Sequence, residues 1–473
     1  MSDLPLVEGV LKYVKENNIS FSMPGHKNGK GFFATEEGKT FINNILSCDI
    51  TEVEGVDNLH NPEGIIKEAS ELLTQLYGSK KSYFLVNGST SGNLIMVYSS
   101  FKEGDKVIID RSCHKSIFNA IILKKLKPVY IKNRVCNSFN APISINMEHF
   151  FQVIKNNRDA KGIILTYPNY YGICCDLEKI IEEAKNYNMK VLIDSAHGAH
   201  FGISNKLPKS AVKLGADMVV TSSHKTLASF TQTAFLHINS NINKDKVDFY
   251  FSSFSSTSPS YLLMCSMDYG RYYLQKYGRN EYNNLIELAE KYKNKINNID
   301  NMHVIDEQDI NENYSYFMDR SRYIINLNNN YNSNLLLKYL RENKIQCEMS
   351  DTHNIVLIFS PFNTEEDFKY LYEVLRKCDL SKMKFQSINI HEYSIPVLKL
   401  SPHEAVNKPK KKIDIEGSLG RICGENIIPY PPGIPLIMMG EIIDKETIIM
   451  LKYYLNNGIE LIGVDNGKVK IIE

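Results

Sequence analysis

The apolar positions of this chain fall into two alternating rhythms. Short continuous apolar runs of four to six residues predict buried strands at Tyr83–Val86, Lys106–Asp110, Pro128–Ile131, Gly162–Thr166, Lys190–Ile193 and Ala216–Thr221. Between and around them, apolar residues recur at helical spacing. Ile65/Ile66, Ala69, Leu72/Leu73 and Leu76 predict a helix over Ile65–Tyr77, and similar patterns predict helices over Val7–Asn17, Leu94–Ser100 and Leu177–Tyr187. Strand and helix in alternation predict an α/β architecture with a mostly parallel sheet. Beyond a helical stretch at Tyr269–Tyr292 the order changes. Strands at Tyr323–Leu327 and Asn354–Phe359 and helices at Leu335–Asn343 and Glu365–Lys377 predict a smaller α+β domain. The chain thus divides into an N-terminal helix and arm (1–45), a large domain (46–295) and a small C-terminal domain (296–473). Within the last, Lys408–Lys412 reads as a solvated basic loop, Asp414–Ile422 as a helix and 429–435 as a rigid Pro-rich turn.

Composition narrows the function class. With 473 residues, 43% apolar and 23% charged, the chain has material for two or three domains and a large core. A net charge of +1 argues against a nucleic-acid or membrane-surface protein held by bulk charge. The nine cysteines are odd in number and show no paired CxxC spacing, so no metal site is expected. No signal peptide and no run of about 18 apolar residues is visible, so the expected location is the cytoplasm and no membrane is expected as partner. A DNA-binding regulator would need a helix-turn-helix module, and the 20 residues before Phe21 are too short for one.

The chemistry sits where strands end, at the rim where open α/β sheets bind ligands. After Val86, Gly88-Ser89-Thr90-Ser91-Gly92-Asn93 leads into a helix, an arrangement that can cradle a phosphate. It lacks the Gly-Lys-Thr/Ser of an ATP loop and fails the GxGxxG spacing, and a plain helix cap is the alternative. His114 lies just past the strand ending at Asp110. Asp194 closes the next marked strand, where a carboxylate can pair with a pyridinium nitrogen or simply cap a turn. Thr221-Ser222-Ser223-His224-Lys225 closes another. A desolvated lysine there can lose its proton and attack an aldehyde, although a solvated loop is the simpler reading of that string alone. Phosphate turn, Asp194 and Lys225 in this order specify a ligand with a phosphate, a basic ring nitrogen and an aldehyde, as in pyridoxal phosphate. Two loops remain open: Phe21–Phe32, with His26 and two lysines, is either solvated or laid over an active site, and the acidic stretch Asp49–Gly64 is either a wet loop or faces a cation. Tyr430, in the Pro-rich turn, either packs or faces a substrate.

Taken together, Met23-Pro24-Gly25-His26-Lys27, Asp57-Asn58-Leu59-His60, the 87–93 turn, Cys113-His114-Lys115-Ser116, Asp194-Ser195-Ala196-His197-Gly198, Ser222–Lys225 and Pro429–Leu436 with Gly440-Glu441 beyond it resemble the Orn/Lys/Arg decarboxylases, in particular a short clade without an N-terminal wing domain. One departure is visible: Met438-Met439 precede Gly440-Glu441 where the family usually has Pro-Gly-Glu. The resemblance implies an aminotransferase-like (fold type I) large domain binding pyridoxal 5'-phosphate. It also implies decarboxylation of a basic amino acid, arginine first, then lysine or ornithine, to a polyamine-pathway amine and CO2. By the same resemblance Lys225 carries the cofactor, Asp194 pairs with its ring nitrogen and His114 stacks on its ring. Ser89, Thr90 and Ser222 hold its phosphate, with Ser91 and His197 also in the binding set, and His224 is a proton donor or carboxylate contact. The stretch Phe254–Pro259, with Ser256 and Thr257, resembles the segment that reaches the neighbouring subunit's phosphate, so a homodimer or larger assembly with shared sites is implied. Another fold type I activity (aminotransferase, aldolase or desulfurase) shares Asp194 and Lys225 but leaves Met23–Lys27 and Pro429–Leu436 without an explanation.

Overall fold

A computed structural model describes residues 3–136, 139–311, 315–328, 330–384, 394–430, 435–456 and 458–473. Its centre is a seven-stranded sheet ordered Lys81–Leu85, Ala234–Ile238, Met218–Thr221, Lys190–Asp194, Gly162–Thr166, Lys106–Asp110, Lys127–Ile131. Six strands run parallel and Ala234–Ile238 runs against both of its neighbours. Residues such as Val107, Ile109, Ile163 and Leu192 are buried, as expected of a parallel sheet covered on both faces.

The antiparallel strand is an element the apolar pattern missed. His237 interrupts the run Ala234–Ile238, yet it is fully buried, its ring nitrogens 2.9 Å from Ser82 Oγ and 3.4 Å from Thr221 Oγ1. A hydrogen-bonded imidazole takes the place of an aliphatic side chain there. The helix expected from Leu94 begins instead at Gly88 and runs to Ser100. The hydroxyl-rich turn is its first turn, and Gly92 lets the helix settle on the sheet, since a Cβ there would come within 2.6 Å of Leu85 and 2.9 Å of Val220.

The 36-residue helix Tyr261–Ile296 extends the expected Tyr269–Tyr292 at both ends and packs on Ile65–Tyr77 and Glu365–Arg376. It leads to an antiparallel sheet ordered Met302–Val304, Arg322–Leu327, Asn354–Ile358, Met349–Ser350. The N-terminal arm joins this second unit: Ile19–Phe21 pairs in parallel with Ile345–Cys347. Beyond it the arm is packed, not solvated. Lys27 is buried, its amine donating to the carbonyls of Ser22 at 2.5 Å and Ile358 at 2.9 Å. Gly25 N–H donates to His224 O at 2.8 Å, so the arm backs onto the turn that carries Lys225.

The C-terminal part has a core of its own, including Ile415, Cys423, Ile437, Leu451, Tyr454 and Ile471. Two expectations fail here. The basic run is no loop: Lys410–Asp414 is an edge strand paired with Lys468–Ile472, where exposed lysines discourage further strand pairing. The helix expected at Asp414–Ile422 is a single 3-10 turn, Ile415–Ser418, because the strand uses Asp414 and Cys423 turns back to donate to Glu441 O. Of the Pro-rich turn, Ile428–Tyr430 forms a strand against Glu460–Ile462, and 431–434 fall outside the described residues. The helix Pro5–Lys15 leaves Leu6, Val10, Leu11 and Val14 exposed.

Candidate active site

Parallel pairing brings several strand ends to one edge. Asp194 lies opposite Val220 on one side and Thr166 on the other, so loops that leave residues 166, 194 and 221 share a rim. Under that rim is a cavity of about 410 Å³. Its floor is lined by Ser89, Cys113, His114, Thr166, Asp194, Ala196, His197 and Lys225, and its mouth by Tyr170, Tyr171, Met349, Asn426, Ile428, Tyr430 and Ile462 among others.

Lys225 sits on the short helix Ser223–Thr226 directly after its strand. Its amine donates to His197 Nε2 at 3.0 Å. Burial holds the amine below its ordinary range, against the opposing pull of Asp194 and Glu348. Burial, reinforced by the Lys225 and Arg322 charges, pushes His197 well down, so a neutral imidazole receives the lysine hydrogen. His197 Nδ1 is buried without a partner among the described residues, and Tyr170 meets the ring edge-on at 5.0 Å. Asp194 is buried; Oδ1 accepts from Ala196 N–H at 3.1 Å and Oδ2 from Asn93 Nδ2 at 2.8 Å. His114 is open to the cavity on one side, and the partial loss of water around its ring lowers its pKa. Ser89 is on the wall in the first turn of its helix, where free N–H groups and the helix dipole favour an anion.

Ser89, His114, Asp194, His197 and Lys225 therefore meet at one cavity. Other expected residues do not line it. Thr90 is exposed beside Ser89, and Ser91 is buried, donating to Gly88 O at 2.9 Å. Ser222 is fully buried, its hydroxyl without a partner among the described residues. His224 Nδ1 is 2.8 Å from Thr233 O, and burial lowers the pKa of its ring. Ser256 and Thr257 are exposed; Ser256 O accepts from His60 Nε2 at 2.8 Å.

Apart from Tyr430, sequence reasoning passed over the mouth. Tyr170 and Tyr171 come just after the strand Gly162–Thr166, and the strand-end rule that marked Asp194 applies to them equally. Tyr170 OH donates to Glu348 Oε1 at 2.5 Å and Tyr171 OH to the buried Asp351 at 2.7 Å. Below this loop, Arg322 and Asp319 form a fully buried pair at 2.7 Å that also engages His200 and the carbonyl of Tyr170. Gly172 makes room for it: with φ at +84°, a Cβ there would lie 2.3 Å from Arg322 Cδ. Asn426, Ile428 and Ile462 come from the C-terminal core, and no local pattern marks them.

The parts fit pyridoxal phosphate. Lys225 matches an aldehyde, Asp194 a ring nitrogen, the bare face of His114 a flat ring and the helix start at Ser89 a phosphate. Residues 4–331 match the Orn/Lys/Arg decarboxylase major domain, and residues 386–458 match the C-terminal domain of the same family. The chain is 37% identical to an uncharacterized protein, YaaO, of Bacillus subtilis over 94% of this chain and 92% of that protein. It is 32% identical to arginine decarboxylase of the same organism over 99% and 97%. Lysine decarboxylase A from Pseudomonas aeruginosa shares the fold at 19% identity, with a TM-score of 0.79 over 99% of this chain and 80% of that one. Among the described residues no helix is long and apolar enough to cross a membrane. The chain belongs to the Orn/Lys/Arg decarboxylase family, with an aminotransferase-like (fold type I) fold, and is a pyridoxal-phosphate-dependent decarboxylase of basic amino acids.

Proposed function

We propose that the enzyme decarboxylates arginine to its amine, in the cytoplasm, as a homodimer with shared active sites. The observation that carries the substrate is the near end-to-end likeness to arginine decarboxylases, 32% identical over 99% of the chain in Bacillus subtilis. The cavity suits it: Tyr170 and Tyr430 stand at the mouth, and a planar guanidinium stacks on aromatic faces where an ammonium does not. Support for the dimer is the uncovered apolar side of Pro5–Lys15 together with Leu46, which is 89% exposed.

Bound pyridoxal phosphate supplies an aldehyde carbon for the substrate amine and a protonated ring that accepts the electrons left when CO2 departs. Position sets the roles of the protein's own groups. Lys225 would hold the cofactor through its amine and, standing on the cavity floor, could hold or return a proton there. Asp194 keeps the ring nitrogen protonated. His197 accepts a hydrogen from the Lys225 amine and steadies it in its lowered range. His114 would lie against the cofactor ring, and Ser89 with the helix N-terminus would hold the phosphate, with Thr90, Ser91 and Ser222 as further candidates for it. His224, held by its Nδ1 at the carbonyl of Thr233 beside the lysine turn, is the candidate proton donor or carboxylate contact, and Ser256 and Thr257 would serve the partner's phosphate.

The test is direct. Purified enzyme is given arginine, lysine or ornithine separately, and CO2 and amine are measured. The expected result is arginine turnover well above the other two. Faster release of CO2 from lysine or ornithine overturns the substrate assignment, and no CO2 from any of the three overturns the function.

A further inference from the structure

The amide of Asn93 is forked between Asp194, which lines the cavity, and the buried Ser116 beside His114. Its single nitrogen lies 2.8 Å from Asp194 Oδ2 and 2.8 Å from Ser116 Oγ, while its Oδ1 is buried with no partner among the described residues. A carboxylate oxygen only accepts, so the nitrogen, not the oxygen, faces Asp194, and the second N–H of the same nitrogen goes to Ser116. Ser116 Oγ is in turn 2.8 Å from His114 Nδ1, and the backbone N–H of Ser116 points at that same nitrogen from 3.3 Å. Asn93 and Ser116 are both buried.

Hydrogen-bond polarity then runs one way along the chain. Asn93 can only donate to the serine oxygen. The serine oxygen has two lone pairs, so it is the backbone N–H of Ser116 that decides the next link: it needs the lone pair of Nδ1, and the serine hydroxyl then donates to that nitrogen as well. Nδ1 therefore carries no proton. Burial disfavours the imidazolium, and of the charges near His114, Asp194 opposes this while Lys225 and Lys115 reinforce it.

We propose that Asn93 and Ser116 are positioning residues that lock neutral His114 as the Nε2–H tautomer, so that His114 meets whatever occupies the cavity as a hydrogen-bond donor to an oxygen and not as a base. The same amide fixes the orientation of Asp194, so one buried side chain sets both the ring-nitrogen partner and the polarity of the ring-stacking imidazole. This does not depend on which amino acid is consumed.

The experiment is 15N NMR of the holoenzyme labelled at histidine, with His114→Gln assigning the signal by its disappearance. In the unaltered enzyme His114 shows Nε2 protonated and Nδ1 bare. Ser116→Ala moves the tautomer ratio toward Nδ1–H by about two- to tenfold, the worth of one ordinary hydrogen bond. Ser116→Thr, which keeps the hydroxyl, restores the original pattern, and Asn93→Ala shifts the ratio in the same direction as Ser116→Ala should that variant not fold. A protonated Nδ1 in the unaltered enzyme, or a ratio that Ser116→Ala and Asn93→Ala leave unchanged, overturns the proposal whatever the substrate proves to be.

Discussion

Removing the carboxylate of Glu441 should loosen the wall of the active site without unfolding the large domain. Glu441 receives two hydrogen bonds from Arg111, at 2.7 and 2.8 Å, and one from Met438 N–H at 2.7 Å. Arg111 also donates to the carbonyls of Pro435 and Leu436. The two side chains are 3% and 0% exposed, so neither charge has access to water. Deleting one partner of such a pair costs about 3–5 kcal/mol, because the other charge stays buried and uncompensated. Arg111 comes directly after a strand of the central sheet, whereas Glu441 and Pro435 belong to the C-terminal part. The cost therefore falls on docking of that part, and its opening constant should rise by about two to nearly four powers of ten. Hydrogen exchange of Glu441→Ala reads this as faster exchange over 423–443 and 459–472, with the central sheet unchanged. Decarboxylation should fall in parallel, since Asn426, Ile428, Tyr430 and Ile462 line the mouth. The double variant Arg111→Met/Glu441→Leu should recover most of the protection, because an apolar pair needs no charge compensation. Wild-type exchange in Glu441→Ala, or a double variant as open as the single one, would refute the reasoning.

Other consequences are equally open to measurement. Lys225→Ala should abolish the cofactor's visible absorbance, and borohydride trapping of the unaltered enzyme should place the pyridoxyl group on the peptide containing Lys225 and on no other lysine. Asp194→Asn should keep the cofactor but turn over about 10²–10³-fold more slowly, as for other electrostatic groups; near wild-type turnover in a folded, loaded variant counts against its role. The buried amine of Lys27 is held at about 7 against an ordinary 10.5. Between these values the unfolded chain binds the extra proton, so stability should rise with pH over that window by up to about 1.4 kcal/mol per unit, and Lys27→Met should flatten this slope in urea titrations. Mixed Lys225→Ala and Ser256→Ala/Thr257→Ala subunits should complement to at most about a quarter of wild-type activity, whereas no recovery after proven exchange argues that each chain builds its site alone.

The sheet and the floor of the site were legible for one reason: parallel strands are buried on both faces, so they read as apolar runs, and the loop after each run lands on a common rim. That places Asp194, His114 and Lys225 from sequence alone. Where one strand broke the rule, as at His237, the compensating hydrogen bonds come from residues 155 and 16 positions away and leave no local trace. The helix start at Gly88 was blurred because serine and threonine read as a turn, while the close approach of Gly92 to Leu85 and Val220 seats the segment on the sheet as a helix. In the C-terminal part the lysine-rich strand and the 3-10 turn went unrecognised because edge pairing, not apolar spacing, fixes them. The fork at Asn93 depends on Asp194, 101 residues on, and only coordinates show it.

The buried pair of Arg322 and Asp319 grips the loop after Gly162–Thr166 by a backbone carbonyl, that of Tyr170, and Gly172 exists to admit it. The loop's position is thus set by main chain and by a charge beneath it, while the side chain of Tyr170, bonded to Glu348, faces the mouth. Scaffold and selectivity are written on different atoms of the same residue. Exchanging the side chain at position 170 leaves the grip of Arg322 on the loop's main chain in place, whereas a side chain at position 172 would collide with Arg322 itself.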